Sequence, residues 1–194
     1  MVKLNERALD LTEQVIEQVT DEELDRPTPC AGWRMEDLLR HLVSLNRGYA
    51  AAAEGEAAVW DDKDLGGDHR RAFRESAEAV RTAFRAPGYA ERRVPVSRFG
   101  TFSGRTAAGL HLVEAVAHGW DIAVSIGAPY QPDDELVDVA YAVVARFPEG
   151  AGLRGPGAPF GEVVPVADAA PALDRLLGLV GRDPAWSPGG TVTP

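Results

Sequence analysis

Four ionisable residues stand one per helical turn in segment 106–126, TAAGLHLVEAVAHGWDIAVSI: His111, Glu114, His118 and Asp121. Every other residue there is apolar, small or uncharged. At about 100° per residue the four fall within an arc of roughly 80°. A solvent-facing stripe is normally broader and carries Lys or Arg. This one offers only imidazole and carboxylate. Glu114 and His118 lie four apart, so their side chains stack on one helix face and can grip one divalent ion. A third ligand must come from a facing helix. His41 is the candidate, because it sits within the apolar stripe Leu38, Leu42, Leu45, Tyr49. Two His and one Glu, with a position left for water or substrate, is a catalytic zinc pattern. The same donors accept nickel, iron or manganese. A buried Glu114 without a cation would cost several kcal/mol or take up a proton, and a divalent ion removes that cost. Against this, Glu-x3-His pairs also occur as surface decoration, and a core histidine is often simply hydrogen-bonded.

The neighbours of this set divide into alternatives. His111 acts as a proton shuttle or extra ligand, or it reaches the pocket mouth or solvent. Asp121 moves protons or orients His118 as an outer acceptor, or it pairs with an arginine or caps a helix. Cys30 is expected to be a buried structural thiol, since a nucleophilic role needs a lowered pKa. His69 is expected at the surface. Trp33 and Trp120 are expected to be packing residues, with a place in the pocket wall as the alternative. Arg92, Arg93, Arg98 and Arg105 precede the helix and are expected to be solvated charge, or help for an anionic substrate.

Helices must position these groups. Leu4, Ala8, Leu11, Val15 and Val19 predict a first helix near 4–19. Thr20 to Glu23 reads as a capping box, and Pro27 and Pro29 force an extended stretch. A second helix is predicted near 35–54 and a third near 68–85, with Phe73, Ser76, Val80 and Phe84 on one face. Segment 61–67 reads as a polar loop, and 86–103, with Pro87, Gly88, Pro95 and Gly100, as a long ordered loop. The fourth helix ends near Gly127. A fifth is predicted near 133–146, capped by Asp133 or Asp134. A Gly/Pro-rich segment follows, with a short extended piece at 160–166. A last helix is capped by Asp168, with Pro171 in its first turn and Gly181 after its end. The tail 182–194 is irregular. The expected architecture is all-α: a four-helix metal-binding bundle over 1–127 and a short helical extension over 128–194 packed on it.

The chain has 194 residues, 45% of them hydrophobic, with a net charge of −10. That charge argues against nucleic acid and against an anionic membrane surface. The apolar run at 106–126 is interrupted by its ionisable residues and is not a membrane span. The N-terminus is charged and amphipathic, without the core of a signal peptide. With one cysteine, neither an internal disulfide nor a Cys-rich structural zinc site is available. A cytoplasmic protein, monomer or homodimer, is expected.

TPCAGWRMEDLLRHLV at 28–43 and LVEAVAHGWDIAVSIG at 112–127 together resemble the actinobacterial DinB-like metal-binding family related to mycothiol-dependent maleylpyruvate isomerase. The resembling motifs are a TPC-x-x-W turn leading into a helix with His-Leu, and Glu-x3-His-Gly-Trp-Asp. RLLGLVGRDPAW at 175–186 is similar to the tail of the smaller members. The resemblance implies a DinB-like four-helix bundle and a divalent metal, zinc first, held by His41, Glu114 and His118. It also implies a mycothiol-like thiol cosubstrate. Arg34 departs from the Thr or Ser usual after the Trp, so the helix is expected to find another cap or to start later, near Asp37. About 65 residues follow the bundle, fewer than the isomerase itself carries.

Three functions follow as expectations. The first is a transferase or isomerase that activates a low-molecular-weight thiol at the metal and adds it to an electrophilic substrate. The second is a hydrolase using metal-bound water. The third is a non-catalytic bundle that binds metal or a small ligand.

Overall fold

A computed structural model of the chain describes residues 1–61, 64–147, 154–155, 158 and 160–189, and of Arg98 the backbone alone. Parts of the predicted loop at 61–67, of the Gly/Pro-rich segment and of the tail therefore lie outside the described residues. The all-α expectation holds. The helices are α1 (Val2–Ile16), α2 (Met35–Glu54), α3 (His69–Arg85), α4 (Gly104–Ile126), α5 (Asp134–Val144) and α6 (Ala172–Leu179). Among the described residues, no helix is long and apolar enough to cross a membrane.

The position of α4 follows from its composition. A helix apolar nearly all round has no face to give to water and is buried on all sides. One side of α4 meets α1 and α2 in a core that includes Leu9, Ile16, Leu38, Phe73 and Ile122. The other meets α5 and α6 through Leu112, Val113, Leu136, Val137 and Leu176. The ionisable stripe of α4 is consequently turned inward. Helix α1 contributes two polar residues to the same interior, Asn5 and Thr12, both buried. Its buried line runs Asn5, Ala8, Leu9, Thr12, Val15 and Ile16, and the helix stops at Ile16 rather than near 19. Thr20 N–H donates to Glu23 Oε2 at 2.9 Å, as the capping box requires.

Segment 86–103 is a correction to the expected loop. It holds an antiparallel hairpin, β1 (Arg93–Val96) and β2 (Gly100–Ser103), preceded by one short 3₁₀ turn and joined by another at Ser97–Phe99. Val94 and Val96 point inward and are buried, in the two-residue alternation of a half-buried strand. In a two-stranded ribbon every strand is an edge, so Pro95 removes no needed donor. The hairpin leads directly into α4, whose first turn is capped by Ser103 Oγ accepting from Thr106 N at 3.2 Å. At Gly104 a Cβ would lie 1.9 Å from the carbonyl oxygen of Tyr89. The obstacle is backbone and cannot rotate away. Gly104→Ala is expected to lower stability by about 1–3 kcal/mol, read as a fall in thermal midpoint. An unchanged midpoint would count against this close approach.

Other local corrections have simple causes. Helix α2, Met35–Glu54, matches the predicted 35–54, and of the two alternatives at its start the later one falls away: Asp37 Oδ2 accepts the Arg34 N–H at 3.1 Å and closes the turn from within. Helix α5 is capped by Asp133, whose Oδ1 accepts from Leu136 N at 3.1 Å. Helix α6 starts after Pro171, so Asp168 does not cap it. The expected extended piece at 160–166 is reduced to a single bridge, Arg154 to Phe160, and one hydrogen bond from Val164 N to Gly178 O. His69 is not a surface residue: it is 6% exposed, with Nε2 at 3.2 Å from Val19 O, where α3 meets the end of the α1 turn.

Candidate metal centre

Helix α2 and helix α4 bring His41, Glu114 and His118 together. His118 Nε2 lies 3.0 Å and His41 Nε2 3.7 Å from Glu114 Oε2. The three donor atoms lie within 4.8 Å of one another. The two imidazoles meet edge to face at 5.0 Å. His118 is nearly enclosed, while His41 and Glu114 keep 28% and 24% of their side-chain surface, so the set opens on one side.

The orientation of His118 is decided by its other nitrogen. Nδ1–H donates to Asp121 Oδ2 at 2.8 Å. In the neutral ring Nε2 is then a lone pair, and it faces a carboxylate oxygen at 3.0 Å. Two acceptors in contact need a cation between them, a proton or a metal ion. The protonation behaviour shows the same demand. Burial disfavours the charged form of His118, yet hydrogen bonds to Asp121, Cys30 and Glu114 hold its pKa well above the ordinary value. Burial likewise opposes ionisation of Glu114, and the bonds to His118 and His41 overturn this and keep its pKa well below the carboxylate range. His41 goes the other way, lowered chiefly by burial, which leaves its imidazole neutral and able to donate a lone pair.

Asp121 touches both His118 and an arginine. It is fully buried, accepts from His118, and pairs with Arg182, whose Nη2 lies 3.0 Å from Oδ2 and whose Nε lies 3.2 Å from Oδ1. Arg182 offsets the burial that would otherwise raise the Asp121 pKa, and the carboxyl stays below its usual value. Cys30 is neither plain core nor isolated: its Sγ donates to Asp121 Oδ2 at 3.2 Å, receives Arg182 Nη2 at 3.2 Å and sits 3.8 Å from His118 Nδ1. Arg182 went unread in the sequence. It follows α6 by three residues, and its only sequence signal was its place in RLLGLVGRDPAW.

The turn before α2 places Cys30 and Trp33. Thr28 Oγ1 donates to Trp33 O at 2.9 Å and Trp33 N donates to Cys30 O at 2.9 Å. The chain reverses at Gly32, whose φ of +79° suits a residue without Cβ. Trp33 is therefore not a core residue. It is 37% exposed and lies against His41 at 4.9 Å and His118 at 6.5 Å, forming a wall of the site. Trp120 is buried.

His111 stands apart from the three. Nδ1 accepts from Asn5 Nδ2 at 2.9 Å and Nε2–H donates to Asn46 Oδ1 at 2.8 Å, so α1, α2 and α4 are tied through one ring. It is 2% exposed, edge-on to Tyr49 at 4.9 Å. Both nitrogens are occupied, and it reaches neither a pocket mouth nor solvent. Burial brings its pKa from 6.5 down to about 4. Between those values the unfolded chain takes up the proton before the folded one does. The stabilisation is complete above pH 6.5 and is lost as pH falls toward 4, by about 3 kcal/mol. Urea unfolding across that window, with the imidazole resonance of His111 followed by NMR, is the check. A ring that titrates near 6.5 in the folded protein would refute it.

Of the arginines before α4, Arg92 spends its guanidinium on the carbonyls of Ala53 and Pro87. Arg93 and Arg105 are exposed. The side chain of Arg98 lies outside the description. The arginine that enters the site is Arg182.

Residues 6–123 match the family model of the mycothiol maleylpyruvate isomerase N-terminal domain. The chain belongs to that family. The mycothiol maleylpyruvate isomerase N-terminal domain match takes in Cys30, Trp33, His41, Glu114, His118 and Asp121 and stops short of Arg182. An uncharacterized protein of Mycobacterium tuberculosis, found in two strains, is 32% identical over 182 residues, covering 92% of this chain and 95% of its own length. Crystal structures of mycothiol-dependent maleylpyruvate isomerase and of a histidine-to-alanine mutant of it superimpose with TM-scores of 0.62 and 0.61 at 14% and 13% identity. Each match covers 74% of this chain and 66% of the isomerase, so this chain spans just under two thirds of that enzyme. The likeness establishes the DinB-like fold.

Proposed function

We propose that the protein binds a divalent metal at His41, Glu114 and His118 and uses a low-molecular-weight thiol of the mycothiol kind as cosubstrate in a transfer or isomerisation. The observation that carries the metal is the lone pair of His118 Nε2 set 3.0 Å from Glu114 Oε2, with the ring fixed from behind by Asp121. A histidine ligand whose other nitrogen donates to a carboxylate is the usual arrangement of a metal site. Two imidazoles and one carboxylate suit zinc, with nickel, iron or manganese as alternatives of the same donor class. When bound, such an ion supplies the charge that makes a coordinated thiol acidic. The thiol itself is supported by family membership, since the family is named for a mycothiol enzyme.

The remaining roles belong to the chain's own side chains. Asp121 and Arg182 hold His118 at one angle. Trp33 shields the His41 and His118 rings from water on one side. The open side at His41 admits the thiol and an electrophile. His111 serves the bundle through Asn5 and Asn46. Elemental analysis of the purified protein beside its His41→Ala variant tests the metal: the expected result is an ion in the first that is lost from the second. Thermal shift with added thiol tests the cosubstrate. Turnover of an ester or amide without thiol would instead favour the hydrolase.

A further inference from the structure

Helix α6 has eight residues, too few to stand in water on its own. It is held by what it touches. Leu176, Leu177 and Val180 are buried, and Leu176 and Val180 share an apolar cluster with Leu112 and Val113 of α4. Gly181 then turns the chain with a φ of +84°, and a Cβ there would lie 2.5 Å from Gly161 Cα. The turn delivers Arg182 already aimed: its backbone N–H donates to Leu177 O at 2.8 Å and its Nη1 to Val180 O at 3.2 Å. The polar hold of segment 160–189 on the bundle runs through this side chain. Nε reaches both oxygens of Asp121, and Nη2 reaches Asp121 Oδ2 and Cys30 Sγ. A short helix held at so few points is the kind of element that opens without the rest of the fold.

The seat of Arg182 and the donor set share one ring. His118 Nε2 faces Glu114 Oε2 at 3.0 Å, and Nδ1–H of the same imidazole donates at 2.8 Å to Asp121 Oδ2, the oxygen that Arg182 Nη2 reaches at 3.0 Å. A ring fixed at one nitrogen is fixed at the other. An ion on Nε2 would keep Nδ1–H on Asp121 and the carboxylate at the angle the guanidinium needs. A docked guanidinium keeps the carboxylate, and so the ring, at the angle the ion needs. One effect opposes this: Arg182 cancels the charge of Asp121, which would otherwise draw the ion. With the segment away, Asp121 faces water, and across a ring's width of water and salt that attraction changes affinity by only about a few-fold. Loss of an outer partner that orients a histidine ligand costs about 10–100-fold. Orientation outweighs charge.

We infer that the stretch from α6 through Arg182 is a latch whose closure is coupled to occupancy of the donor set. Ion binding closes the latch and closure tightens the ion, each by the same factor, about tenfold. The inference rests on the metal reading above. It adds that a C-terminal segment outside the family match at 6–123 responds to what the site holds.

The test is hydrogen–deuterium exchange of the full chain, zinc-loaded and chelator-stripped, with zinc content measured on the same samples. Amides of 176–182 are expected to exchange faster than those of α3 in both forms, and to slow about tenfold on loading. In Arg182→Ala the zinc affinity, read by chelator competition, is expected to fall about tenfold, and the zinc-dependent slowing at 176–182 to disappear. Zinc bound with exchange at 176–182 unchanged or faster overturns the latch while the metal reading stands. Exchange at 176–182 that matches α3 in both forms shows that the segment opens only with the whole fold, and overturns it as well. Slowing that survives Arg182→Ala overturns the role of this arginine. The wild-type comparison decides the coupling even where Arg182→Ala does not fold. If zinc does not bind, the metal reading fails and the inference with it.

Discussion

Arg182→Ala is expected to destabilise the protein by on the order of 3 kcal/mol. Asp121 has no exposed surface, and its carboxylate takes hydrogen bonds from Arg182 Nε and Nη2 as well as from His118 Nδ1. Removing the guanidinium leaves a buried anion with one imidazole to balance it. The penalty is that of an uncompensated charge and exceeds what the pair contributes by being there. Arg182→Lys is expected to recover part of the loss, since one ammonium cannot reproduce the contact of two nitrogens, Nε and Nη2, with both oxygens and Cys30 Sγ. Chemical denaturation of the two variants beside the wild type gives the values. A cost for Arg182→Ala within the usual few tenths of a surface substitution would show that Asp121 finds another partner.

His118→Ala is expected to abolish retention of the proposed metal, and Asp121→Asn to weaken it by about 10–100-fold. The two differ in kind. The first removes a donor atom; the second keeps every donor and loosens the ring that presents one. Competition against a chelator of known affinity measures both. Retention of metal by His118→Ala at the wild-type level would eliminate the proposed donor set. An Asp121→Asn variant that binds as the wild type does would instead show that packing by Trp33 and Arg182 is enough to orient the ring.

The donor set was legible because three features coincided: helical spacing of Glu114 and His118, an apolar helix around them, and a histidine inside the apolar stripe of another helix. Spacing reports which residues share a face, so it found what lies along α2 and α4. It does not report which residue a distant loop delivers. Arg182, Cys30 and the wall formed by Trp33 depend on the turn at 28–34 and on the path after α6, and neither carries a periodic signal. The bundle was legible for the same reason, with α2 and α3 matching closely. The buried polar residues were not. Asn5, Thr12 and Asn46 break the apolar pattern and are tolerated inside because each finds a partner there. His69 was misplaced by its polarity at a helix start, where a backbone carbonyl happened to be within reach. The hairpin was hidden by Pro95 and Gly100, which forbid an interior strand and permit a two-stranded ribbon.

The pair Asp121–Arg182 spans 61 residues of chain. At ordinary rates of synthesis, Asp121 emerges from the ribosome about 3–12 s before its arginine does. Over that interval the nascent bundle has His118, three residues away, and the Cys30 thiol to answer the carboxylate. The last partner to arrive is thus the one that locks a geometry already sketched by its neighbours, and a ribosome stalled between α4 and α6 would display the helix with its acid still waiting.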